Sequence, residues 1–255
     1  MSLRSWFARL RFPERAVLLP LLLIAASCLG FIAIADEVIE GDTRDFDEAV
    51  VRALRHPDDP ARPAGPDWLG EVGRDVTALG GMTVIGSVTI AVVGFLWLQG
   101  KRHAVWLVIA AVVGGGLATE LMKELFNRER PSLVPHLTRV TSMSFPSGHS
   151  MLSAVTYLTL GALLARTTQD RATKVYFIGL AILLSLLIGV SRVYLGVHYP
   201  TDVLAGWCAG IAWALLCASF ARWLQQRGKV EPATPSPAAI VNSTPQTSES
   251  TLPAP

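Results

Sequence analysis

The sequence predicts an all-α fold, a bundle of six membrane-spanning helices, and two observations carry that expectation. Of its 255 residues, 51% are apolar and 16% charged, with a mean hydropathy of +0.42, whereas a soluble domain carries about a quarter charged residues. The apolar residues also gather into runs near the ~20 residues that a helix needs to cross the hydrocarbon core. A net charge of +2 leaves no basic field to attract nucleic acid. Cys28, Cys208 and Cys217 all sit inside apolar runs and suggest neither a disulfide framework nor a zinc site.

The first run, 16–35, contains no charged residue. Arg4, Arg9, Arg11 and Arg15 precede it as they would a signal peptide, but an h-region is only about 7–15 residues long. Apolar sequence also continues past Cys28, against lipoprotein cleavage there, so the run reads as an uncleaved anchor. Further spans are expected at 78–98, 104–122, 150–165, 175–190 and 203–223. Pro146 and the polar stretch 166–174 bracket the fourth. Residues 1–15 form the expected cytoplasmic N-terminus, 16–229 the membrane domain, and 230–255, rich in Pro, Ser, Thr and Ala, a disordered tail.

Lys and Arg bias sets the orientation. With the N-terminus inside, 1–15, 99–103, 166–174 and the stretch after 221 lie inside, while 36–79, 123–149 and 191–202 lie outside. Basic residues are denser in the inner set. The segment 36–79 holds twelve acidic and five basic residues and belongs outside. Within it, Phe46, Ala49, Val50, Ala53 and Leu54 recur at helical spacing, with Asp45, Asp47, Glu48, Arg52 and Arg55 elsewhere. A short helix is expected there, packed on the bundle or at the membrane surface; a lid over a site is the alternative.

Ionisable residues gather at span ends. Lys123, Arg128 and Arg130 follow span three, Ser147, Gly148 and His149 open span four, Arg192 closes span five, and His198 and Asp202 open span six. Topological parity puts all of these ends on one side of the membrane. Lys123, Arg130 and Arg192 suit a phosphate-like dianion, which guanidinium binds bidentately and lysine as a point charge. Pro146-Ser147-Gly148-His149 supplies free backbone N–H groups and the positive end of a helix dipole. His198 and Asp202, four apart, share a helix face, so the carboxylate can orient the imidazole. An oriented neutral histidine serves as nucleophile or base, and a second near a leaving group as acid. Singly, these residues also read as snorkelling cations, an aromatic belt of Tyr194, His198 and Tyr199, or an Asp202 N-cap. Arg128 and Arg139 are left as snorkelling or loop residues.

Together, Lys123-x6-Arg130-Pro131, Pro146-Ser147-Gly148-His149 and Ser191-Arg192-x5-His198-x3-Asp202 resemble the three-block signature of the type 2 phosphatidic acid phosphatase family. That superfamily also holds bacterial acid phosphatases and vanadium haloperoxidases. Every signature position is filled, and the motifs span 123–202; the loop 36–79 and the tail lie outside the resemblance. It implies that His198 attacks phosphorus to form a phosphohistidine and that Asp202 orients it. His149 would protonate the leaving oxygen and then activate water. Lys123, Arg130, Ser147, the Gly148 N–H and Arg192 would hold the phosphoryl oxygens. No metal and no cofactor are implied.

The expected substrate is a lipid phosphate: undecaprenyl diphosphate by a narrow margin, otherwise phosphatidylglycerol phosphate, phosphatidic acid or a lipid A phosphate. The expected partners are that substrate and membrane lipids, with no nucleic acid and no obligate protein partner. The expected place is the bacterial inner membrane, with the site facing the periplasm or exterior. The rival readings are a vanadium-dependent haloperoxidase and a catalytically inactive lipid-binding membrane protein.

Overall fold

A computed structural model describes residues 12–138, 140 and 142–226. The elements run α1 (Phe12–Glu40), α2 (Arg44–Ala53), β1 (Arg55–His56), β2 (Asp59–Pro63), α3 (Trp68–Ala78), α4 (Met82–Leu98), α5 (Arg102–Phe126), α6 (Gly148–Ala165), α7 (Arg171–Tyr194) and α8 (Pro200–Gln226). The expected tail, most of the expected N-terminal segment (residues 1–11), and Arg139, Arg227 and Lys229 lie outside the described residues.

Five helices, α1 and α5 to α8, are long and apolar enough to cross a bilayer. Helices α3 and α4 make a sixth span if taken together, bent by 42° where they join. Helix α4 alone has 17 residues, just at the lower length limit of about 17. At the bend, a Cβ on Gly80 would lie 2.5 Å from Ile188 Cγ2 and 3.4 Å from His149 Cδ2. Only glycine lets the chain turn this close to α6 and α7.

Local chemistry sets the helix ends. Ser147, in extended backbone, accepts from the Ser150 N–H and starts α6 at Gly148. Asp170 Oδ2 accepts from the Thr173 N–H at 2.7 Å and starts α7 earlier than the apolar run alone indicates. Asn127 adopts a left-handed conformation, φ 46°, and ends α5. Pro200 occupies the first position of α8, where its missing N–H costs nothing.

Helix α6 sits at the centre, against α5, α7 and α8. Its approach to α8 is close because Gly206 and Gly210, one turn apart, carry no side chain. A Cβ on either would stand 2.7 Å from a backbone carbonyl oxygen, that of Ser147 or Met151 respectively. Small residues allow this backbone approach between membrane helices. It also holds Ser147–His149 beside the start of α8. Gly206→Leu should therefore wedge α6 from α8 at a cost of about 1–3 kcal/mol or more. A lower unfolding temperature in detergent is expected, and an unchanged one would show that the helices do not depend on this contact. On the other side of α8, α1 seats Ala35 with Phe31, Ile34 and Val38 against Phe126, Phe145 and Ala205.

The segment 36–79 packs on the end of the bundle where α5 and α7 finish and α6 and α8 begin. Helix α2 occupies the expected place, and part of the expected face is buried: Val50 and Leu54 pack with Val51 on Val134, Val193 and Val203. Asp47 and Val51 are fully buried, while Phe46 is 55% exposed and Ala49 and Ala53 are exposed as well. The apolar pattern sets the face slightly off because the buried side, Asp47, Val50, Val51 and Leu54, includes a carboxylate with partners deep in the bundle. The all-helical expectation also omitted a small antiparallel hairpin, which pairs Arg55 with Pro63 and His56 with Asp59. Pro57, Pro60 and Pro63 remove backbone donors there and exclude a helix.

Candidate active site

Four helix ends and the α3 segment enclose a cavity of about 430 Å³. Lys123, Arg130, Gly148, His149, Arg192 and His198 all line it, so three sequence blocks separated by tens of residues meet in one place. Among its described lining residues, Glu120 is the sole carboxylate.

Lys123, from the last turn of α5, is only 8% exposed; its Nζ donates to Glu120 Oε1 at 2.9 Å and to Ser142 Oγ at 3.2 Å. Arg130 lies four residues beyond α5. Its guanidinium donates to the carbonyls of Ser142 at 2.6 Å and Val197 at 2.7 Å, and reaches His198 Nε2 at 3.0 Å. Burial lowers the Arg130 pKa, against the opposing pull of Asp202. Arg192, at the end of α7, donates to Thr77 Oγ1 at 3.1 Å, yet its buried Nε has no partner among the described residues. The Arg192 side chain lines the cavity beside Lys123 and Arg130, and three cations brought together there are suited to an anion.

His198 is 1% exposed. Its Nδ1 faces Asp202 Oδ2 at 3.3 Å and Ser144 Oγ at 3.3 Å, while Ser144 Oγ also donates to Asp202 Oδ2. With Nε2 facing the N–H of Arg130, the ring proton belongs on Nδ1 and the Nε2 lone pair accepts from Arg130, itself a cavity residue. Burial, opposed by the Asp202 carboxylate, lowers the His198 pKa to about 4. The imidazole is therefore neutral at pH 7, the form a nucleophile requires. Asp202 is more than a partner for His198: its Oδ2 also accepts from the Tyr199 N–H at 2.9 Å, capping α8. Asp202 is thus not the N-cap itself but the third residue of α8, reaching back to the Tyr199 N–H while it partners His198.

Ser147 takes a different place from its companions. It is fully buried, outside the cavity lining, and its Oγ accepts from Ser150 Oγ at 3.0 Å. Its hydroxyl starts the helix that presents Gly148 and His149 and does not itself face the cavity. Tyr194 and Tyr199 do not form an aromatic belt: the Tyr194 hydroxyl donates to the Ala64 carbonyl, and the Tyr199 ring lies 4.6 Å under the Arg128 guanidinium.

Sequence reading offers no signal for Ser144, Thr77, Ser142 or Arg74 at this site, and it misjudges two charged residues. Arg128, left among loop cations, is a fork between two buried carboxylates: NH1 to Asp202 Oδ1 at 2.7 Å and NH2 to Asp47 Oδ2 at 2.8 Å. Together the carboxylates outweigh burial, which would lower its pKa, and the Arg128 pKa is raised. Asp47, assigned to the polar face of α2, lies fully buried and also accepts from Thr201 N–H at 3.1 Å and Thr201 Oγ1 at 2.6 Å. No spacing rule marks a pairing between residues 81 apart in sequence.

A model of the PAP2 superfamily matches residues 103–226. Over 197 residues the chain is 30% identical to phosphatidylglycerophosphatase B of Bacillus subtilis (strain 168), covering 75% of this chain and 91% of that relative. The chain belongs to the PAP2 superfamily. It is an integral membrane protein with several transmembrane helices, a lipid phosphatase of a metal-independent family. A second PAP2 relative, the lipid A 1-phosphatase of Rhizobium etli, is 30% identical over 184 residues, 62% of this chain and 72% of its own. The fold matches the crystal structure of the first transmembrane PAP2 type phosphatidylglycerolphosphate phosphatase from Bacillus subtilis. That match has a TM-score of 0.71 and 28% identity, over 79% of this chain and 96% of the other.

Proposed function

We propose that the protein removes a terminal phosphate from a lipid head group in two steps through His198. In the first, His198 Nε2 forms a bond to phosphorus as the bond to the leaving oxygen breaks, and His149 gives that oxygen its proton. In the second, His149 takes a proton from water, whose oxygen attacks the phosphohistidine; inorganic phosphate leaves and His198 is restored. Asp202 keeps the Nδ1 proton in place throughout. Lys123, Arg130, Arg192 and the Gly148 N–H hold the phosphoryl oxygens and stabilise the charge that builds on them. The convergence of Lys123, Arg130 and Arg192 with both histidines on one cavity, whose described lining holds a single carboxylate, carries this reading.

Six spans, with α3 and α4 as one bent crossing, both termini inside and the site at the outer face of the bacterial inner membrane, complete the reading. The acidic 36–79 segment, packed at the cavity end, supports that orientation. The membrane domain is 16–229, flanked by the short N-terminal segment 1–15 and the tail 230–255.

A fourth cation narrows the substrate. Arg74 of α3 is exposed, lines the cavity, and makes no hydrogen bond or ion pair among the described residues. It suits a head group bearing a second phosphate besides the one removed. Undecaprenyl diphosphate and phosphatidylglycerol phosphate have one; phosphatidic acid does not. The names of the two relatives, a phosphatidylglycerophosphatase and a lipid A 1-phosphatase, support a lipid head-group phosphate in general.

Phosphate release from these three lipids and a lipid A phosphate, in detergent with chelator, tests the proposal. Release should survive the chelator and favour the lipids with two phosphates. Arg74→Ala should narrow their advantage over phosphatidic acid by about tenfold, near the 1.4 kcal/mol scale of one charge-assisted contact. Equal turnover of all four lipids, unaffected by Arg74→Ala, would remove Arg74 from recognition.

A further inference from the structure

Asp202 presents two oxygens, and they do different work. Oδ2 faces His198, Ser144 and the Tyr199 N–H. Oδ1 is taken by Arg128 NH1 at 2.7 Å. The carboxylate can turn neither oxygen elsewhere without breaking a contact, so the direction of Oδ2, and with it the His198 ring, depends on what holds Arg128.

Arg128 is held from outside the helix bundle's signature region. Its second arm donates to Asp47 Oδ2 at 2.8 Å, and its plane covers the Tyr199 ring. Asp47 grips Thr201 through both carboxylate oxygens, next to Asp202 itself. Asp47 and Asp202 are both fully buried, whereas the Arg128 side chain keeps 16% exposure. A guanidinium is the group for this place, since its planar fork serves two carboxylates at fixed angles. Neither Asp47 nor Arg128 lines the cavity, so neither reaches a bound phosphate.

We infer that Asp47 and Arg128 are positioning residues for the nucleophile: helix α2, through the Asp47–Arg128–Asp202 relay, fixes the rotation of His198 and holds its Nε2 toward phosphorus. This makes the acidic outer segment a part of the catalytic apparatus. The inference rests on the reading of His198 as the nucleophile.

Two anions separate positioning from mere support. Orthovanadate can accept an axial bond from His198 Nε2, whereas inorganic phosphate senses only the cradle of cations. Affinity for each is measured by calorimetry on the full chain in detergent, for wild type, His198→Ala, Asp47→Asn and Arg128→Lys, with unfolding temperatures alongside. His198→Ala should lose vanadate affinity by at least about a hundredfold and keep phosphate affinity. Asp47→Asn, nearly isosteric, and Arg128→Lys, which keeps the charge and loses the fork, should lose vanadate affinity about tenfold or more, with phosphate affinity within about twofold of wild type. Wild-type vanadate affinity in both variants, or parallel loss of both anions, overturns the positioning role. A His198→Ala protein that binds vanadate as wild type does, or a wild type that binds neither anion, overturns instead the reading of the site on which it rests.

Discussion

Phosphate release falls at least about a thousandfold in His198→Ala, because the covalent route through Nε2 is lost. Cations and helix dipole remain in that variant, so ground-state binding of the lipid should change little. The loss is therefore expected in kcat with KM nearly constant, the pattern of an interaction made in the transition state. Radiolabelled phosphate trapped on the wild-type chain and absent from the variant would identify the intermediate directly. Turnover near that of wild type in His198→Ala would sink the nucleophile assignment. Asp202 Oδ2 faces Nδ1 of this buried imidazole and so holds the ring with Nε2 as its unprotonated nitrogen.

Arg192→Lys lowers kcat/KM by about a hundredfold, within the range for losing one oriented donor to developing charge. The position is 3% exposed, and one arm of the guanidinium is tied to Thr77 of α3 while Nε waits unpaired. Lysine keeps the charge but loses the planar fork whose fixed angles let one side chain hold Thr77 and the anion together. An affinity for inorganic phosphate weakened in step with kcat/KM would show that the anion is held by Arg192. Catalytic efficiency equal to wild type would remove Arg192 from the phosphate site. The Thr77 contact also means that α3, in the 36–79 segment, braces this cation as α2 braces Asp202.

Much of this was legible before any coordinates. Hydropathy marks each crossing because the bilayer imposes length and apolarity on every span separately, with no reference to its neighbours. Five spans were found within a few residues, and their ends differ where a cap such as Asp170 extends the helix beyond the apolar stretch. The run expected at 78–98 holds α4, which makes a sixth span only when taken with α3 across a 42° bend. That bend follows from Gly80 meeting Ile188 and His149, a contact between distant segments. The three signature blocks were legible for a similar reason. His198 and Asp202 lie one helical turn apart, and the other motif residues lie within short stretches at helix ends, where spacing implies geometry.

Sequence alone thus determined the helical class, five of the candidate crossings and the motif residues Lys123, Arg130, Gly148, His149, Arg192 and His198 that line the cavity. Tertiary structure alone decided what surrounds that group. Ser147 reads as a ligand by its motif and is turned inward as a cap. Asp47 reads as a solvated face and is buried against Thr201, 154 residues away. Arg128 reads as a surplus loop cation and joins two carboxylates, one on each side of the helix junction. Periodicity sorts residues by polarity and so places every charged side chain on a wet face. A buried charge becomes stable only once a partner from another segment arrives with matching geometry, and that partner is chosen by the packing of the helices.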